Sequence, residues 1–135
     1  MCFWTVRKGQ VAALAMALAY APTAWADAEF PFESEMLLDA RPLPGSKRVP
    51  ILEILSSGRA TIDLWCMSEG GQAEVAGDGI RLVLGRMQEQ SCTPERRARD
   101  EELAAALSQV TQWRREEDVL ILVGPIELRY RLSTH

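Results

Sequence analysis

The stretch DLWCMSEGGQAEVAGDGIRLVLGRMQEQSC, residues 63–92, holds a cysteine at or near each end and a glycine-punctuated run of alternating residues between them. Three arrangements suit the pair Cys66 and Cys92. They can form a structural disulfide, stay as two buried thiols acting as small hydrophobes, or serve as a redox or metal pair. The last wants Cys-x-x-Cys spacing or further His and Cys ligands, and the single histidine is the terminal His135. A bridge closing a loop of this size would stabilise the fold by about 3 kcal/mol on the chain-entropy model. It would also restrict the fold. If Cys66 ends the first strand of a three-stranded meander and Cys92 follows the third, a flat sheet separates them by roughly 10 Å. That exceeds the Cα limit of ~7 Å for a bridge. Either the sheet curls strongly, or the segment Met87–Ser91 folds Cys92 back over the middle strand.

Compartment bears on the choice. MCFWTVRKGQ begins the chain with Arg7, Lys8 and no acid. An apolar run of about ten residues follows, and then APTAWA. This is the layout of a secretory signal peptide, with cleavage expected after Ala26 in the Ala24-x-Ala26 ending. A membrane anchor would need about 20 apolar residues. An even cysteine pair in a small exported domain reads as a disulfide by default. Without Arg7 and Lys8, the mature chain keeps 13 basic residues against 19 acids, a formal net charge of −6. Such a balance disfavours nucleic acid as a partner, because phosphate binding needs a cationic surface. It suits a periplasmic protein with no integral membrane span after leader removal. Hydrophobic content of 47% and charged content of 25% are those of one ordinary globular domain.

The mature chain reads as strands around one helix. Residues 27–45 form a lead-in with a first strand near Glu35–Asp39, and residues 46–135 form the main domain. Prolines separate a second strand near Pro50–Leu55, and SSG at 56–58 makes a turn. From Arg59, the residues Ile62, Leu64 and Cys66 share one face. Gly70-Gly71 is expected to break the strand, QAEV to begin the next, GDG at 77–79 to turn it, and IRLVL to complete the meander. Thr93-Pro94-Glu95 carries N-cap signals, and Leu103, Leu107 and Val110 follow at helical spacing. A helix is therefore predicted over Pro94–Val110, with Arg96, Arg97, Arg99, Asp100, Glu101 and Glu102 on its polar face. The tail returns to three strands, TQWR before an acidic turn at 116–118, then VLILVG and IELRYRLST, with Ile126, Leu128, Tyr130 and Leu132 on the inward face of the last. The fold class is α+β: a mostly antiparallel, strongly curled or barrel-like sheet with one packed helix.

No cluster of residues spells out a reaction. His135 at the terminus makes a poor triad member. Asp63, Glu69, Glu74 and Asp78 could in principle pair as acid and base, but the plainer reading is the solvated faces and turns of an acidic protein. Asp78 and Glu74 lack a regular calcium loop, and no Lys-Ser/Thr follows the glycines as a phosphate loop requires. We therefore expect no catalytic, metal or cofactor site. An interaction surface has better candidates. Arg96, Arg97 and Arg99 are the one dense basic cluster, suited to anionic envelope polymers or lipid headgroups. Trp65 and Trp113 are core fillers first and partner platforms second.

The order of these features resembles the META domain (HslJ-like) family of bacterial envelope proteins. The matching residues are GRATIDLWCMSEGGQAEVAGDGIRL, QEQSCTPE, EELAAALSQV and VLILVGPIELRYRL. Met67 stands where the family usually has asparagine, Gln88 and Gln90 replace threonine and methionine, and Thr93 separates Cys92 from Pro94. The resemblance implies a small antiparallel β domain with one helix, acting in the envelope without enzymatic activity. Its partner would be an unknown envelope protein or polymer. The alternative is a small β-barrel carrier holding an apolar ligand in its interior.

Overall fold

A computed structural model describes residues 29–88 and 91–134. The leader assigned to residues 1–26 and the terminal His135 lie outside the described residues. Eight antiparallel strands close into an up-and-down barrel: β1 (Met36–Leu38), β2 (Ile51–Ile54), β3 (Arg59–Asp63), β4 (Ser68–Ala76), β5 (Gly79–Leu84), β6 (Gln112–Glu116), β7 (Val119–Val123) and β8 (Leu128–Leu132). One helix, α1 (Pro94–Ser108), links β5 to β6. The count and order of elements match the sequence reading, five strands, a helix and then three strands. Closure falls to the short β1, which pairs with β2 on one side and with β8 on the other, Met36 opposite both Leu52 and Leu132.

The interior is filled by side chains. Met36, Leu52, Ile54, Ile62, Leu64, Leu120, Leu122 and Tyr130 are all essentially inaccessible to solvent. Period-two alternation supplies most of them, because successive residues of a strand face opposite sides of the sheet. β7 is the exception, with Val119 to Leu122 all buried. Its outward Ile121 lies in register between Arg114 of β6 and Arg129 of β8. These arginines join Glu116 and Glu127 in four ion pairs of 3.4–3.9 Å. The arginine stems flank Ile121 from both sides and account for its burial.

Three expectations about strands are corrected. Gly70-Gly71 does not interrupt β4, which runs straight through the pair. A Cβ on Gly71 would stand 2.6 Å from the carbonyl oxygen of Val83, so glycine here permits close approach of β5 where the sheet curls. The break comes earlier, in a tight link at Leu64–Met67 where the Met67 carbonyl accepts from the Leu64 N–H at 2.8 Å. Cys66 therefore sits in a turn and does not end a strand. At the other end of the chain, β8 begins at Leu128, and Ile126 is 61% exposed instead of facing inward. The Gly77-Asp78 turn forms as expected, with Gly77 at φ +57°.

The barrel has one weak seam. β5 and β6 share a single register pair, Gly79 with Gln112, supported by Ile80 N–H donating to the Thr111 carbonyl and Trp113 N–H to the Asp78 carbonyl. Beyond that point the strands diverge, and α1 fills the opening with Leu103, Ala104, Ala106 and Leu107. Thr93 caps the helix, its Oγ1 accepting from the Arg96 N–H at 3.3 Å. The helix ends at Ser108, two residues short of the predicted Val110, which is nevertheless buried.

Candidate functional site

The expected polar face of α1 needs one correction, and it leads to the site. Asp100 is completely buried. It lies three residues before Leu103 and seven before Leu107, so helical geometry puts it on their apolar stripe. Its carboxylate reaches the Leu64–Met67 turn. Oδ1 accepts from the Trp65 N–H at 2.6 Å, Oδ2 accepts from the Met67 N–H at 2.7 Å, and the Cys66 N–H lies 3.2 Å from both. A turn leaves several N–H groups without partners, and one carboxylate satisfies three of them.

The disulfide lies on the same turn. Cys66 and Cys92 are bonded, with Cα atoms 6.0 Å apart. Their proximity arises at the barrel rim. Past β5 the chain stays beside β4, Gly85 N–H donating to Gly70 and Gln88 N–H to Ser68. Between these contacts Arg86 and Met87 together face the single residue Glu69, an extra-residue bulge that bends the strand. Cys92 meets the turn at this rim, so the curl of the sheet, with the bulge that bends it, brings the two cysteines together.

An open groove of about 600 Å³ runs between α1 and this bulged end of β5. Met67, Leu84, Met87, Ala104 and Ala105 form its apolar walls, while Arg86, Arg97 and Glu101 bring charge. Glu69 also lines it. This residue is only 4% exposed, and its Oε1 has no hydrogen-bond partner. Burial, and then the negative charge of Asp100, raise its carboxyl above the ordinary 4.5. No ion pair among the described residues joins it to Arg86 or Arg97.

A carboxyl whose pKa is raised on folding binds its proton more tightly in the folded chain. Stability then declines as pH climbs from the ordinary glutamate range through the raised value. Glu69→Gln should therefore stabilise the protein at pH 7, by about 1 kcal/mol if the amide finds a partner. The pH dependence above about 4.5 should flatten with it. Urea unfolding of both proteins at several pH values checks this, and a less stable variant at neutral pH would contradict it. Glu33 behaves oppositely: its exposed carboxylate accepts from the Ser56 N–H at 2.6 Å, and that bond lowers its pKa.

The residues singled out as an interaction surface do not form one patch. Arg97 lines the groove. Arg99 pairs with Glu102 on the exposed side of the helix, and Arg96 is half-buried near Gly45. Trp65 is half-buried against the core at the Leu64–Met67 turn. Trp113 lies at the opposite end of β4, roughly 25 Å of strand away. There its indole N–H donates to the Gly77 carbonyl at 2.9 Å, and its ring meets Phe30 edge-on at 5.2 Å. Both tryptophans act as core fillers, Trp113 closing the seam. The four carboxylates of the meander are also scattered: Asp63 accepts from Ser68 Oγ and pairs with Arg48, Glu74 and Asp78 are exposed, and Glu69 is buried. Among the described residues, no three His, Cys, Asp or Glu side chains gather as metal ligands would.

An eight-stranded barrel with its helix between the fifth and sixth strands and a rim disulfide can be compared with known families. The META domain family model matches residues 26–132. The chain belongs to the META domain family. The resemblance seen in the glycine, cysteine and leucine spacing is thus shown over nearly the whole described chain. None of the curated protein sequences compared with this META domain matches it. Among solved structures, a protein from Burkholderia xenovorans determined by NMR is 19% identical with a TM-score of 0.57, covering 85% of this chain and 98% of that one. A second NMR structure is 15% identical with a TM-score of 0.55, over 73% of this chain and 88% of the other. A DUF4847 family protein from Bacteroides vulgatus is 11% identical with a TM-score of 0.52, over 61% of this chain. This META domain spans 57% of the length of that Bacteroides protein. These similarities are of fold alone.

Proposed function

We propose that this META domain is an exported, non-enzymatic binding module of the bacterial envelope, and that the groove between α1 and the end of β5 is its contact surface. One observation carries the reading: a buried carboxylate with an unpartnered oxygen lines an open groove with apolar walls. A buried acceptor without a partner destabilises a fold, and a ligand that satisfies it would recover that loss on binding. The rim disulfide suits an oxidising compartment, in keeping with the signal-peptide pattern of residues 1–26. The non-enzymatic part rests on how the carboxylates are used. Asp100, the carboxylate whose charge acts on Glu69, is committed to three backbone N–H groups and is not free to serve as its acid–base partner.

The carrier reading requires a ligand inside the barrel. Tyr130, Met36, Leu52, Ile62 and Leu122 occupy that space, which favours a ligand on the outside. The test places a photoreactive residue at Arg97 in the groove or, as a control, at the exposed Arg131 of β8, in cells of the native host. We expect a chain processed to its mature length in the periplasmic fraction, with covalent adducts formed from the groove position and not from the control. Cytoplasmic retention, adducts that ignore position, or a turnover abolished by one polar substitution would each overturn the proposal.

A further inference from the structure

The groove has an open strand edge as one wall. In the β4–β5 hairpin the odd-numbered residues from Gly79 to Gly85 direct their backbone groups at β4. This follows from Ala76 opposing Gly79 across a two-residue turn and from Gly85 N–H donating to Gly70. The even-numbered residues therefore aim theirs at the seam, as the Ile80 N–H donating to Thr111 confirms. Pairing with β6 stops at Gly79. The N–H and C=O of Leu84 thus face the groove with no strand partner among the described residues, and the bulge at Arg86–Met87 bends the edge outward.

The groove's charges select what could lie there. Glu69 lines the groove together with Met67, Met87 and Ala104, its Oε1 is buried without a partner, and the negative Asp100 adds to its field. A lysine suits this position: a slender four-carbon stem for the apolar walls and a compact ammonium for a recessed carboxylate that is only 4% exposed. An arginine fork would need both carboxylate oxygens open to it in one plane, and Oε1 is buried. The Asp100 oxygens are taken by three N–H groups, which leaves too few ligands for a divalent cation.

We propose that an extended segment of a partner protein adds to the open edge of β5 at Leu84 and delivers a lysine ammonium to the Glu69 carboxylate. Strand addition would supply backbone hydrogen bonds as the general source of affinity, and the Glu69 position would supply specificity. Arg86, Arg97 and Glu101 would then meet residues flanking the lysine. This deepens, and rests on, the reading of the groove as a contact surface.

The test uses purified mature protein and two libraries of acetylated, amidated pentapeptides, one with lysine fixed at the centre and one with norleucine, plus cadaverine as a free amine. We expect the lysine library to bind and to shift the backbone NMR signals of Leu84 to Met87. Norleucine at the centre, or Glu69→Gln in the protein, should weaken binding about 10-fold or more. Cadaverine should bind far more weakly and leave the Leu84 amide unmoved. Equal binding by the norleucine library, no binding by either, or cadaverine matching the lysine peptides would overturn the inference. Groove-specific adducts in cells with no peptide binding would sink this inference while sparing the contact-surface reading. Peptide binding without such adducts would do the reverse.

Discussion

Asp100→Ala should lower the unfolding free energy by about 3–5 kcal/mol, because it leaves three turn N–H groups without their charged acceptor in a site closed to water. Small domains hold only about 5–15 kcal/mol in total, so much of the fold's stability depends on this one side chain. The expected reading is a much lower urea midpoint with the slope of the transition unchanged. Asp100→Asn keeps the shape and one acceptor oxygen but turns an amide N–H₂ towards a donor. It should lose about 2 kcal/mol. The order Asp, Asn, Ala separates the acceptor role from packing, since simple filling of space would leave Asn close to the native residue. A loss below about 1 kcal/mol for Asp100→Ala would show that water replaces the carboxylate at the turn.

The residues that made the fold legible are those whose physics is local. Alternation fixes the strands, Thr93-Pro94 fixes the helix start, and Gly77-Asp78 fixes a hairpin. The paired cysteines demanded curvature, and closure into a barrel satisfies that demand. What escaped depends on neighbours distant in sequence. Gly71 reads as a breaker because glycine weakens strands, yet the approach of Val83 across the sheet is what requires it. Asp100 reads as solvated because it sits in a charged run, although its spacing from Leu103 and Leu107 places it on the buried stripe. Glu69 offered a similar signal: once β4 starts at Ser68, Met67, Glu69, Gly71 and Ala73 share the inner face. Charge outweighed register in the reading of both carboxylates. The groove itself could not be read, because the divergence of β5 from β6 is a property of the closed barrel and of no single segment.

Reducing the Cys66–Cys92 bridge should lower stability by about 3 kcal/mol, the loop-closure estimate for cysteines this far apart in sequence. The native barrel should persist, since β5 stays paired with β4 from Gly79 to Leu84. Cys66→Ser combined with Cys92→Ser should reproduce the loss without reductant, and urea unfolding of the native protein with and without reductant gives the comparison. The bridge and Asp100 hold the same four-residue turn, one through the Cys66 sulfur and the other through the Cys66 N–H. Their contributions should therefore not add. With the bridge intact, the turn stays tethered in the unfolded chain and near the rim in the folded one, so losing Asp100 is partly absorbed. With the bridge gone, nothing covalent returns the turn to the helix. The double change should then exceed the sum of the single ones by about 0.5 kcal/mol or more. Strict additivity would mean that the two restraints act on separate parts of the rim, and that the groove wall at Met67 is held by the carboxylate alone.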